Sequence, residues 1–185
     1  MERLTDAWPP PSTKPDAAAR LARVRVPVGF LASVAALWLA HPTWSSIAAG
    51  SWLAVAGEAI RVWASGHLEK GREVTTSGPY RFTGHPLYLG STLIGIGFAI
   101  ASHSVAVGVI AALYLGLTLG AAVHSEEAGL RAKFGSEYVE YRAGRAPDDS
   151  RPFSLARAFR NREHRAVAGL VAVLILFALK VWLLL

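Results

Sequence analysis

The sequence predicts an all-α integral membrane protein, a bundle of five transmembrane helices with a cytoplasmic helical segment between the fourth and the fifth. Three observations predict it. Of 185 residues 52% are hydrophobic and only 17% are charged, where an ordinary soluble domain carries roughly a quarter charged residues. The chain is at the same time basic, with a formal net charge of +6 and a mean hydropathy of +0.34; a chain both apolar and basic fits a membrane rather than a nucleic-acid surface. The third observation is where the cations lie. Arg3, Lys14, Arg20, Arg23 and Arg25 precede the first apolar stretch, Lys70, Arg72 and Arg81 lie between the second and third, and Arg131, Lys133, Arg142, Arg145, Arg151, Arg157, Arg160, Arg162 and Arg165 lie between the fourth and fifth. These are 17 of the 19 cations, Arg61 and Lys180 being the others. Cytoplasmic flanks carry the excess of Lys and Arg, so the alternation puts the N-terminus inside and the C-terminus outside. A soluble helical bundle is the alternative, and it leaves this sorting without a cause.

The elements follow in order. Residues 1–20 are rich in proline and polar groups and are expected to be a flexible tail. Residues 21–185 form a single domain. Its apolar stretches cover residues 26–40, 44–60, 87–102, 105–123 and 166–185. The last two reach the ~20 residues that cross a bilayer core; the first three do so once their flanking residues are included. His41-Pro42-Thr43 and Ser102-His103-Ser104 are then tight outer turns. The leader before the first stretch is long and contains Glu2, Asp6 and Asp16, so a retained anchor is expected rather than a cleaved signal peptide. Cysteine is absent, which removes disulfide scaffolds, cysteine zinc sites and thiol nucleophiles, and no metal site is expected.

Nearly all chemistry-bearing residues fall in two polar segments, 65–86 and 124–165, both on the inner side. Lys180 in the last stretch apart, the charged residues that a span carries are Glu58 and Arg61 near the inner end of the second, three apart on one helical face. They either pair to position the helix, or Arg61 holds an anionic ligand group. In the first segment Gly78-Pro79 marks a turn and Pro86 suits the first turn of a helix. His85 and Tyr88 sit at the mouth of that helix, where free amides hold an anion; interfacial anchoring of both side chains is the other reading. In the second segment, Glu126-Glu127 at the end of the fourth span opposes the helix dipole, so one of the two is expected to have a cationic partner. Leu130, Phe134, Tyr138 and Tyr141 recur at four, four and three, which predicts one amphipathic helix lying along the membrane.

Gly57-Glu58-Ala59-Ile60-Arg61, Thr76-Ser77-Gly78-Pro79-Tyr80, His85-Pro86-Leu87-Tyr88, and Glu126-Glu127 with Leu130, Phe134-Gly135, Glu137-Tyr138, Tyr141 and Arg145 together resemble the isoprenylcysteine carboxyl methyltransferase and phospholipid methyltransferase superfamily of integral membrane enzymes. The resemblance covers residues 57–147 and leaves 166–185 as an additional C-terminal helix. It implies methyl transfer from S-adenosylmethionine to a lipophilic or small apolar acceptor, with membrane lipids as partners, at the cytoplasmic face of a cell inner membrane. It further implies cofactor contacts from Arg72, Glu73, Val74, Thr75, Tyr80, His85, Pro86, Leu87, Tyr88 and Glu126; Arg61 and Arg145 are the catalytic candidates, as substitutes for family arginines that this chain lacks. Many members have arginine where this chain has Gly84, and another four residues before the glutamate pair, where this chain has Ala122. Both arginines lie near the substrate end in carboxyl-methylating relatives. Their absence shifts weight from a carboxylate acceptor toward an amine, thiol or hydroxyl. An NADPH-dependent sterol-type reductase and a catalytically degenerate membrane scaffold are the competing readings.

Overall fold

The computed structural model describes residues 17–145 and 150–184. Most of the expected N-terminal tail lies outside them, with Arg3 and Lys14. The described residues form seven α-helices and one 3-10 turn, with no strand: α1 (Ala17–Leu39), α2 (Trp44–Ser65), the 3-10 turn (Gly78–Arg81), α3 (Pro86–Ala101), α4 (Val105–Phe134), α5 (Ser136–Arg142), α6 (Leu155–Arg160) and α7 (Glu163–Leu184). Of these, α4 and α7 are long and apolar enough to cross a membrane, and Pro27–Leu39 and Pro86–Ala101 are shorter apolar helices.

At one end of the bundle the two short turns lock together. Thr43 caps α2 through a reciprocal pair in which Ser46 N donates to Thr43 Oγ1 at 3.1 Å and Thr43 N donates to Ser46 Oγ at 2.9 Å. The Ser46 hydroxyl also donates to Ala101 O at 2.9 Å, and His41 N donates to Ser102 O at 2.8 Å. The α1–α2 and α3–α4 turns therefore share their polar groups instead of leaving helix ends unsatisfied.

The tightest packing is between the antiparallel helices α2 and α3. Gly50 and Gly57 of α2 face Gly97 and Gly90 of α3, and a Cβ on Gly57 would lie 2.6 Å from Gly90 O. Small residues at the contact let the two backbones meet directly. The fully buried Ala54 and Ala101 extend the same strip. Large apolar side chains instead point away from the bundle, with Trp38, Trp52, Leu113, Leu117 and Trp182 all exposed.

At the other end, α6 closes the C-terminus of α2. Arg157 donates to Gly66 O at 2.6 Å and to Glu69 Oε1 at 2.8 Å, and Asn161 Nδ2 donates to Ser65 O and Leu68 O at 2.8 and 2.9 Å. A helix end with unpaired carbonyls thus receives donors and a positive charge.

The structure corrects one element. The repeat Leu130, Phe134, Tyr138, Tyr141 is not one amphipathic helix: α4 runs on from the apolar stretch to Phe134, and Gly135 (φ 52°, ψ −119°) breaks the chain before α5 starts. A left-handed φ that glycine tolerates ends the helical period there. The tyrosines consequently pack on α5 under different neighbours from Leu130 and Phe134.

Candidate functional site

The residues between α2 and α3 fold into a compact polar loop. Ser77 is fully buried, and Val74, Thr75, Tyr80 and His67 are nearly so. His67 Nδ1 lies 3.1 Å from Ser77 Oγ. Gly78 adopts φ +59°, and a Cβ there would come within 2.5 Å of the His67 ring, so glycine is required both by conformation and by space. The loop delivers the chain to His85, the N-cap of α3, whose side chain makes no capping hydrogen bond. Pro86 follows at the first helical position.

The imidazole of His85 points to the α4 extension. Its Nε2 lies 3.1 Å from Glu127 Oε1 and its Nδ1 4.0 Å from Glu126 Oε2, while its ring stacks on Tyr88 with centroids 5.6 Å apart. Glu127 has the cationic partners expected for one glutamate of the pair: Arg142 at 3.3 Å and Arg131 at 3.9 Å. Glu126 is the more open of the two, its side chain 45% exposed. Arg142 of α5 sits directly against Gly84, where a Cβ would lie 3.0 Å from its guanidinium.

From α5, the Tyr141 hydroxyl donates to Tyr80 O at 2.8 Å, and Tyr138 is buried beside it with ring centroids 6.2 Å apart. Burial, then the neighbouring Tyr138, pushes the Tyr141 phenol up to about 12. Burial also raises Tyr80 and Tyr138 above the ordinary tyrosine value. All three stay neutral near pH 7, Tyr141 as a hydrogen-bond donor.

The structure therefore brings together Tyr80, His85, Pro86, Tyr88 and Glu126, with Leu87 in the same first turn of α3. Val74 and Thr75 lie buried behind the loop. Arg72 and Glu73 lie at its rim, Arg72 with a side chain 79% exposed and 3.9 Å from Glu69, and Glu73 paired with Arg151. Arg61 and Arg145 are not together. Arg145 is exposed beyond α5, whereas Arg61 is deep between helices, with Nε and Nη2 both 2.7 Å from Glu163 Oε1 and Nη1 2.6 Å from Ser91 Oγ. Glu58 remains 3.6 Å from Arg61 Nε, so the neighbour three residues away is the weaker partner. Glu163, Ser91 and Arg142 are the residues that sequence reasoning missed. Ser91 lies three residues beyond Tyr88, on the α3 face that the motif already defines, but nothing local marks Glu163, which is distant in sequence.

Above this polar layer, α1, α2, α3, α4 and α7 line a partly open cavity of about 530 Å³ whose lining is largely apolar and whose charged members are Glu58 and Arg61. Its volume falls in the range of small-molecule sites. Ser91, on its wall, is one helical turn from Tyr88, a rise of about 4.5 Å. Among the described residues no group of three or more His, Asp or Glu side chains is placed to hold a metal ion.

Comparison with known proteins adds the following. The cobalt-zinc-cadmium resistance protein CzcN of Cupriavidus metallidurans is 31% identical over an alignment 136 residues long, which covers 66% of this chain and 59% of that protein. The chain thus spans under two thirds of the relative's length. No solved structure matches. Residues 25–137 match the phospholipid methyltransferase family, a stretch that runs from α1 through the His85 and Glu126-Glu127 layer into α5, and to that family the chain belongs.

Proposed function

We propose that this protein transfers a methyl group from S-adenosylmethionine to a lipid-like or small apolar acceptor, at the cytoplasmic face of a cell inner membrane that it spans five times. One observation carries the reading: the uncapped N-terminus of α3, with His85, Tyr88 and the facing carboxylate of Glu126, lies one helical turn from an apolar cavity. The outward-facing tryptophans and leucines and the sorted cations support the spans.

The residues present fit the cofactor by their chemistry. A helix N-terminus with no side-chain cap, and a histidine beside it, suit a carboxylate. The rings of Tyr80 and Tyr88 suit a sulfonium or adenine face. Glu126, more open than its neighbour, suits an ammonium or ribose hydroxyls. Glu127 takes the positioning role, holding His85 while Arg142 and Arg131 balance its charge. Val74 and Thr75 back the loop, Arg72 and Glu73 form its rim, and of the two catalytic candidates Arg61 lines the cavity while Arg145 lies apart from it, exposed beyond α5.

S-adenosylmethionine supplies an activated methyl on a sulfonium, and charge is dispersed as that methyl leaves. The protein's task is to hold the acceptor in line and to keep water out. The neutral tyrosines around Tyr80 and the apolar cavity wall serve exclusion, while the bonded His85–Glu127–Arg142 array fixes the helix end.

Calorimetry on protein in detergent tests the reading. Binding of S-adenosylmethionine or its demethylated product is expected, weakened about tenfold or more, ~1.4 kcal/mol, in His85→Ala and in Glu126→Ala. Labelled-methyl transfer into a total membrane lipid extract, with mass identification of the product, then names the acceptor. Absence of binding to either compound overturns the reading.

A further inference from the structure

The cavity has a shape and a polarity that select a ligand. Its α7 wall runs from Ala166 to Phe177, about 17 Å at the rise of an α-helix. One end is lined by an apolar cluster in which Val107 and Phe177 pack with Ala40 and Ala101. The other end holds Glu58, Arg61 and Ser91. Of the remaining hydroxyls on its wall, that of Ser33 is bonded to Gly29 O at 2.8 Å, and that of Tyr114 lies against Gly29. An elongated, partly open apolar space with one charged end fits a single-chain amphiphile lying with its head at α2.

The charged end is not neutral among itself. Arg61 gives two contacts to Glu163 and one to Ser91. Glu58, only 6% exposed, has no hydrogen bond at either carboxylate oxygen. A buried carboxylate without donors is costly, and two carboxylates against one guanidinium leave a negative excess. A cationic head with N–H donors would supply both the charge and the hydrogen bonds. An anionic head would add a third negative group beside Glu58 and find Arg61 already held.

We propose that this cavity binds a single-chain lipophile with a protonated amine head, that Glu58 is its counter-ion, and that Glu163, by holding Arg61, sets the choice of cation over anion. Glu163 is here a positioning residue, acting through Arg61. It lies on α7, outside the matched residues 25–137, so the preference is set from beyond the stretch that matches the family. The proposal concerns binding alone, and does not require that the amine be methylated.

Photolabelling tests it. A dodecylamine bearing a diazirine at its tail is equilibrated with the purified protein in lipid nanodiscs, irradiated, and the labelled peptides are mapped. Labelling is expected around Val107 and Phe177, at the apolar end. Dodecylamine is expected to displace the label at a concentration about tenfold lower than dodecanoic acid, with dodecanol between them. In Glu58→Gln the amine and alcohol are expected to compete within about twofold of each other. Glu163→Gln, which frees Arg61, is expected to bring the acid level with the amine or ahead of it, with thermal melting confirming that both variants are folded. Equal competition by all three compounds in the unaltered protein overturns the proposal without any variant, and so does a preference for the acid. An amine preference unchanged in folded Glu163→Gln removes the role of Glu163. S-adenosylmethionine binding by the unaltered protein is measured separately, so failure of the methyl-transfer reading and failure of this one are told apart.

Discussion

Tyr141 and Glu69 each tie segments distant in sequence, and both titrate. The Tyr141 hydroxyl is the bond between α5 and the loop carrying Tyr80, so Tyr141→Phe is expected to lower stability by about 1 kcal/mol, read as a lower melting temperature in detergent. Because the folded phenol titrates at about 12 rather than 10.0, its contribution is fully present below pH 10 and is lost as pH rises through 12. The melting temperatures of the two proteins are expected to differ below pH 10 and to converge above it. Glu69 behaves in the opposite sense. Its bond from Arg157, with Arg160 and Arg72 nearby, holds its carboxyl below the ordinary carboxylate value of 4.5. That contribution is present above pH 4.5 and is lost as pH falls through the lower folded value. Protection against hydrogen exchange in residues 66–77, taken relative to the intrinsic rate at each pH, is expected to fall at acid pH, and Glu69→Gln to show low protection at all pH values. The ion pairs themselves were only partly readable in advance. Glu58 and Arg61 three apart announced a pair, yet the guanidinium went to Glu163, because a carboxylate on a neighbouring helix offers straight contacts that a side chain on the same helix does not reach.

Helix α2 meets α3 backbone to backbone, and glycine is what permits it. A Cβ on Gly97 would lie 2.6 Å from Gly50 O, whereas Gly116 of α4 has nothing within 4 Å. Gly97→Ala is therefore expected to destabilise by about 1–3 kcal/mol through overpacking, while Gly116→Ala stabilises by up to about 1 kcal/mol through helix propensity. Thermal unfolding of the two variants side by side checks the contrast, and equal effects would mean that the contact is not tight. The helices themselves were legible from apolar runs and turn residues: each expected stretch is a helix within a few residues, apart from extensions at its ends. The partner choice was not, although Gly50 and Gly57, and Gly90 and Gly97, each recur at seven and so mark one face per helix. The aromatic repeat failed for a different reason, since periodicity counts residues and Gly135 resets the count.

At the scale of the whole molecule, the two cations that broke the charge sorting both prove to be engaged within the bundle. Arg61 is bound by Glu163, and Lys180 donates to Leu37 O at 2.7 Å and Trp38 O at 3.1 Å, at the C-terminus of α1. The remaining seventeen then act as the topological signal. Five spans predict opposite exposure for the loop after α2 and the turn before α4. The chain has no cysteine, so Arg72→Cys and Val105→Cys can each carry a single thiol. A membrane-impermeant maleimide added to intact cells is expected to label Val105→Cys and to reach Arg72→Cys only after permeabilisation; labelling of both from outside would overturn the orientation. The polar layer of the site was legible as motifs because its members lie in short runs near Tyr80, His85 and Glu126. The cavity was not, since its walls come from five helices and only the fold assembles them. Lys180 also bears on biosynthesis. It fastens α7 to the end of α1, and Glu163 on the same helix fastens Arg61, yet α7 leaves the ribosome after every other described helix. The earlier helices must therefore wait with Arg61 held by Ser91 and Glu58 alone, and the α7 wall of the cavity is in place only when that helix arrives.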